Sequence, residues 1–326
     1  MKKYHKISLI TAIALFATGF SGCKKLLEVD PQSAITEQVY FKSEGDFEPY
    51  LNGIYTIMRA LSNNVTYGTE RGEELTSASN SRFTVAWTQI ITPTSGAVNY
   101  NQWYQGIGNC NLLIDKANSF SFSNEDLRKK ILGEAYTLRA FFYFHLTRII
   151  GDVPLMLQPV VDENVPLLSR APAADVLKQI QTDLAEAIRN FQSQSGFSKT
   201  AYPSKYRFCY GSAMCLRADA YLWSAKVLNG GANDLNAAIS AATEAEATGL
   251  VLNTNFANVT ATRAATNTEV AMAAYYQRDE AGNNYGINAL AALQFIQGAT
   301  NLDQIPYTAQ VANGQGAYQI SAESRA

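Results

Sequence analysis

Apolar residues recur at intervals of three and four along most of this chain, the spacing that gathers side chains on one face of an α-helix. The first such run covers 46–61, where Phe47, Leu51, Ile54, Tyr55 and Met58 share a face. The same period predicts helices over 103–118, 124–150, 172–194, 210–228 and 233–248. Their ends carry matching signals: Pro172 stands near the first position of its helix after Ser169, and Gly230 with Gly231 closes the 210–228 segment. Strand signals are few. The segment 269–277, EVAMAAYYQ, reads as a short strand or as one more helix. Between 62 and 101 the period dissolves into Asn, Thr, Ser, Gly and scattered aromatics, as in a functional loop region. The class predicted is mostly α.

The last helix pair bears on the type of α fold. Tyr221 on the first helix, with Ala238, Ala242 and Ala245 on the second, looks like a tetratricopeptide unit in which small residues let two helices approach. A plain helical hairpin reads equally well on this pair alone, because the linker through Gly230 is long for the repeat.

The N-terminus follows a different pattern. Lys2, Lys3 and Lys6 precede an uncharged apolar stretch, Ile7 to Phe20, that ends in Ser21, Gly22 and Cys23, the design of a secretory signal peptide. At 14 residues the stretch is shorter than the roughly 20 needed to cross a hydrocarbon core. A Cys placed directly after small residues resembles the lipobox of bacterial lipoproteins, with Phe20 as its departure from the usual Leu. The resemblance implies cleavage before Cys23 and acylation of its thiol, which would hold the protein at a membrane surface through more than one acyl chain. The expected organisation is a signal peptide over 1–22, a lipidated tether over 23–45, and a helical domain from 46 to 326.

Composition narrows the partners. With 47% hydrophobic and 17% charged residues over 326 positions, the chain is an ordinary globular one. Its formal charge of −2 would become −5 without the three signal-peptide lysines, and no basic run after Lys24 and Lys25 is longer than the three residues Arg128 to Lys130, so nucleic acid is not an expected partner. Beyond Cys23, Cys110, Cys209 and Cys215 form an odd set, so pairing cannot be complete. Cys209 and Cys215 are six apart in what reads as one helix, a rise of about 9 Å, beyond the roughly 7 Å limit for a disulfide. All three read as small buried hydrophobes.

The segment 133–155, GEAYTLRAFFYFHLTRIIGDVPL, carries a resemblance to the SusD/RagB family of outer-membrane nutrient-binding lipoproteins. That family has a helix with the pattern E-A-x-x-L-R-A-x-x-Y-F-x-L followed by G-D-x-P-L, met here by Glu134, Ala135, Leu138, Arg139, Ala140, Tyr143, Phe144, Leu146, Gly151, Asp152, Pro154 and Leu155. Further matches run in order: LLEVDPQS after the cysteine, Trp103-Tyr104-x-Gly106-Ile107 with Asn111, Leu112 and Leu113, and Ser169-Arg170-x-Pro172 leading into Asp183-Leu184. Ala135, Leu138, Phe142, Leu146 and Ile149 repeat at helical spacing and would face a core, while Arg139 could pair with a carboxylate or hold a loop. The motif residues therefore read as structural. The resemblance implies a tetratricopeptide-like α/α superhelix with a loop-rich ligand-binding region, a lipid anchor in the outer membrane facing the exterior, and a SusC-like TonB-dependent transporter as partner. It also implies a longer chain, with the C-terminal part of the family fold missing.

Catalytic constellations are sparse. The adjacent carboxylates Glu73 and Glu74, Glu125 and Asp126, and Asp279 and Glu280 read as solvated charge rather than a hydrolytic pair. His145 is the one histidine after the signal peptide, within the aromatic helix, which leaves little for a nucleophile–base mechanism or a zinc site. Gly106 and Gly108 lack the strand and the third glycine of a phosphate cradle. Binding remains, with neither enzyme activity nor a cofactor expected. Sugars need aromatic platforms beside amide and charged groups, and the polar region offers Tyr67, Arg82, Trp87, Asn99, Tyr100 and Asn101. The function expected is capture of oligosaccharides without catalysis and delivery to the transporter; the alternative is a helical-repeat scaffold binding a peptide or protein.

Overall fold

In a computed structural model, the structure describes residues 40–62, 75–77, 100–160, 167–201, 204–256, 258–259, 266–275 and 318–320. The chain divides into two compact units between Asp46 and Phe47. In the first, the described residues form a turn in which the Asp46 carboxylate accepts from the Lys42 and Ser43 amides at 3.0 and 2.7 Å. These bonds hold its carboxyl below the usual range.

The second unit is a series of helices: α1 (Phe47–Ser62), α2 (Asn101–Ser119), α3 (Glu125–Ile150), α4 (Ala173–Gln192), α5 (Tyr210–Val227) and α6 (Gly231–Glu246). Each packs on its neighbour in sequence, most extensively α3 on α4 and α5 on α6. This serial packing of helix pairs is the tetratricopeptide-like α/α arrangement. Two short ribbons accompany it. Strand β1 (Leu75–Ser77) pairs antiparallel with β4 (Tyr318–Ile320), and β2 (Val153–Pro154) pairs with β3 (Arg170–Ala171). Among the described residues no helix is long and apolar enough to cross a membrane.

Helix α3 is the centre of the core. Asn124 starts it, its Oδ1 accepting from the Leu127 amide at 3.0 Å, and Gly151 ends it at φ +87°, a conformation that favours glycine. Ile131, Ala135, Leu138, Phe142, Tyr143, Phe144 and Leu146 are fully buried, so the helix is apolar well beyond a single stripe. Each large side chain among them contributes about 1.5–3 kcal/mol. Two glycines set how close the neighbours come. A Cβ on Gly106 would lie 2.6 Å from the Phe142 ring, and one on Gly133 would lie 2.7 Å from Phe191.

Three local expectations change. The face of α6 turned to the core holds Ala238, Ala241 and Ala245, while Ala242 is exposed: from Ala238, i+3 and i+4 are both helical neighbours, and the packing of α5 selects the first. Cys209 lies outside its helix, as the extended N-cap residue before α5, with its sulfur accepting from Ser212 Oγ at 3.6 Å. Cys110, Cys209 and Cys215 are all free, the first two buried and the third partly so. The segment 269–275 forms neither strand nor helix; it is tied down by the Ala273 amide donating to the Lys205 carbonyl at 2.8 Å and by Tyr275 packing on Tyr206.

Candidate functional site

The helix and hairpin that carry the motif are joined by buried and part-buried polar contacts. Arg139 donates from Nε to Asp183 Oδ2 at 2.9 Å and from Nη2 to Oδ1 at 2.6 Å, with side-chain exposures of 7% and 1%. Its Nη1 donates to Asn111 Oδ1 at 2.9 Å, and the Asn111 amide donates to the Met156 and Gln158 carbonyls at 2.9 and 3.2 Å. Tyr143 both donates to the Met156 carbonyl at 2.8 Å and accepts from its amide at 2.7 Å. The segment after α3 is thus fixed by side chains from α2 and α3, with Asp183 of α4 holding Arg139 in place. Leu138, on the same helix as Arg139 and Tyr143, is fully buried. Asp152 extends the network by accepting from the Ala173 amide at 2.8 Å, a carboxylate at the positive end of α4. Pro154 pairs with Arg170 across β2 and β3.

Glu134 organises a second network. Its Oε2 accepts from Tyr55 Oη at 2.6 Å and from Arg207 Nε at 2.8 Å, and Tyr55 Oη in turn accepts from the Phe208 amide at 2.8 Å. Burial raises the Glu134 carboxyl above its usual range against the opposing pull of Arg207 and Tyr55. His145, on the same helix as Glu134, is packed among Trp103, Phe141 and Phe144, and burial lowers it to about 4. It is therefore neutral near pH 7 and has aromatic neighbours in place of a nucleophile. Trp103 is itself buried, with its ring stacked on His145.

The hairpin positions the exposed edge of the candidate site. Tyr100 sits at the start of α2, its ring 6.3 Å from that of Tyr104, and Arg170 Nη2 donates to Tyr100 Oη at 3.3 Å. Tyr104 is anchored: its hydroxyl donates to the Pro154 carbonyl at 2.7 Å, and burial pushes its phenol up. Tyr100 is half-buried while Asn101 and Arg170 are exposed, so this corner offers a phenol ring, an amide and a guanidinium to solvent. Such a surface can stack on an apolar ring face and hydrogen-bond its hydroxyls. Of the sugar-contact residues read from the sequence, Tyr100 and Asn101 lie here; Tyr67, Arg82, Trp87 and Asn99 lie outside the described residues, as do Cys23 and the whole signal segment.

A family model described as SusD-like, starch-binding and associating with the outer membrane, matches residues 25–222. The chain belongs to the SusD-like family. Among its relatives, SusD-like protein P38 of Formosa agariphila is 28% identical over 234 residues, 68% of this chain and 43% of that protein. SusD-like protein P2 of the same organism is 29% identical over 215 residues, 63% of this chain and 41% of that one. The chain spans about two fifths of the length of these curated relatives. Solved structures show the same fold. NanU of B. fragilis superposes with a TM-score of 0.69 at 24% identity, covering 85% of this chain and 58% of that one. A SusD superfamily protein from Bacteroides fragilis NCTC 9343 gives 0.65 at 25%, covering 77% and 53%. A laminarin-binding SusD-like protein gives 0.60 at 24%, covering 70% and 50%.

Arg170 at the site and Asp183 as the partner of Arg139 are not among the contacts expected from the sequence of this SusD-like chain. Arg170 is 70 residues from Tyr100 and reaches it through the ribbon of β2 and β3. Asp183 had a readable signal. It falls three after Ile180 and four before Ala187, on the buried stripe of α4, and an acid on an apolar face requires a buried partner.

Proposed function

We infer that this protein captures oligosaccharides at the bacterial outer membrane without cleaving them, and passes them to a SusC-like TonB-dependent transporter. The observation that carries the reading is membership in a family described as starch-binding and outer-membrane-associated, joined to a corner where Tyr100, Asn101 and Arg170 face solvent. That corner continues in sequence into the segment bearing Tyr67, Arg82, Trp87 and Asn99, proposed as the rest of the ligand surface. The laminarin-binding neighbour shares the fold and supports a glycan as cargo. Capture without chemistry fits the titratable groups described: Glu134 and Asp183 are engaged by guanidinium groups, and His145 is enclosed by aromatic rings. Acylation at Cys23 would supply the anchor, with the helical domain from residue 46 presented on the outer face.

Affinity gel electrophoresis against a polysaccharide panel, with reducing-end assays on the same samples, tests this. Retardation by a glycan with no new reducing ends is the expected outcome, and Trp87→Ala should weaken it in a folded protein. New reducing ends would overturn the reading in favour of an enzyme, and capture of peptides with no glycan would favour a scaffold. Protease shaving of intact cells tests the outward orientation, which full protection would refute.

A further inference from the structure

A second candidate site lies on the exposed side of α1. Asn52, Thr56 and Arg59 follow one another there at helical spacing and line, with the segment 204–207 and Tyr275, a cavity of about 270 Å³. Asn52, Thr56 and Tyr275 are exposed, so the cavity opens to solvent. Its aromatic wall is a pair of phenols, Tyr206 and Tyr275, with ring centroids 4.7 Å apart and planes tilted by 49°. The pair is braced through the backbone: the Ala273 amide donates to the Lys205 carbonyl at 2.8 Å, and Arg59 Nη1 donates to the Tyr275 carbonyl at 3.3 Å. Tyr275 is nevertheless 47% exposed, a ring fixed in place with one side left to water.

The polar groups around that ring are within reach of a ligand. Neither phenol hydroxyl has a hydrogen-bond partner among the described residues, and that of Tyr206 is open to water. The side-chain amide of Asn52, exposed on α1, has none either. Ser204 Oγ accepts from the Tyr206 amide at 3.1 Å and keeps its own O–H to donate. Amides and hydroxyls each donate and accept, which matches a ring bearing neighbouring hydroxyls, and the apolar face of such a ring suits the open side of Tyr275. The described wall holds no carboxylate, and its guanidinium groups are engaged, Arg207 by Glu134 at 2.8 Å and Arg59 by the Tyr275 carbonyl, so a neutral ring fits better than an ion. At this size the cavity takes one ring of a longer chain. We propose that it is a second contact site for the captured glycan, taking one neutral pyranose ring on Tyr275 with its hydroxyls met by Asn52, Ser204 and Tyr206. The proposal rests on the capture reading and extends it, since it uses none of the residues at the Tyr100 corner.

The test is made on the full chain in a zwitterionic detergent. Laminarin and soluble starch in affinity gels probe capture. Laminaritriose and maltotriose probe the cavity through iodoacetamide alkylation of Thr56→Cys, an exposed position in its wall, read on the peptide that holds residue 56. One of the trisaccharides, at about ten times its Kd, should slow that alkylation roughly tenfold, and Tyr100→Ala should not relieve the protection. Tyr275→Ala should abolish the protection and weaken retardation by the parent polysaccharide about tenfold. Asn52→Trp, which fills the cavity from an exposed helix position, should do the same, and it decides if Tyr275→Ala fails to fold. Alkylation unchanged by both trisaccharides, or retardation unchanged in a folded variant, would overturn the proposal and leave the capture reading standing. No retardation of the unaltered protein by either polysaccharide would overturn both.

Discussion

Replacing Asp183 by Asn should be among the most damaging conservative changes in this protein. The exchange keeps the shape of the side chain but removes the charge facing Arg139, whose guanidinium is 7% exposed. It also sets an amide N–H against one of the two guanidinium donors at 2.6 and 2.9 Å. A buried charge left without its partner costs about 3–5 kcal/mol, a large share of a native stability of about 5–15 kcal/mol. The double variant Arg139→Met, Asp183→Leu removes both charges. It leaves Asn111 without the Nη1 donor and Gln179 without the acceptor it reaches at 2.8 Å, at about 1 kcal/mol each. The double variant should therefore be more stable than Asp183→Asn by roughly 1–3 kcal/mol, the balance of the unpaired charge over the two lost bonds. Urea unfolding of the three proteins, followed by both circular dichroism and tryptophan fluorescence, measures this. A cost below about 1 kcal/mol for Asp183→Asn, or a double variant less stable than Asp183→Asn, would refute the account of a buried, mutually dependent pair.

His145 gives a pH dependence. Its folded value of about 4 lies below the ordinary 6.5, so the unfolded chain binds the extra proton between those values. Stability should be complete above about pH 6.5 and fall by up to about 3 kcal/mol as the pH drops toward 4. His145→Phe should flatten that part of the profile in urea titrations at several pH values. Two glycines of α2 should respond in opposite ways. Gly106→Ala drives a Cβ into the Phe142 ring and should cost about 1–3 kcal/mol, whereas Gly108→Ala meets nothing within 4 Å and should stabilise by about 0.5–1 kcal/mol. Thermal melts distinguish them, and equal shifts would refute the packing argument. At the exposed corner, Tyr100→Ala should weaken glycan affinity by about 1–2 kcal/mol, near tenfold, without lowering the melting temperature by more than a few degrees.

The helices are written locally in the chain. Periodicity and caps act within four residues along the chain, so α1 to α6 begin and end within about two residues of where the pattern places them, with Asn124, Pro172 and Gly151 at their boundaries. Family membership was legible for the same reason, since the motif from Glu134 to Leu155 is one unbroken segment. Which residues meet depends on how the helices pack. Arg139 could have paired with any carboxylate, and the packing of α3 on α4 brings Asp183 to it from 44 residues away. Tyr100 receives Arg170 across 70 residues and Glu134 receives Arg207 across 73, because a ribbon and a helix start place them there. The choice of Ala241 over Ala242 was open for a related reason: a helical period names a face to within one residue, and the neighbouring helix determines which residue it covers.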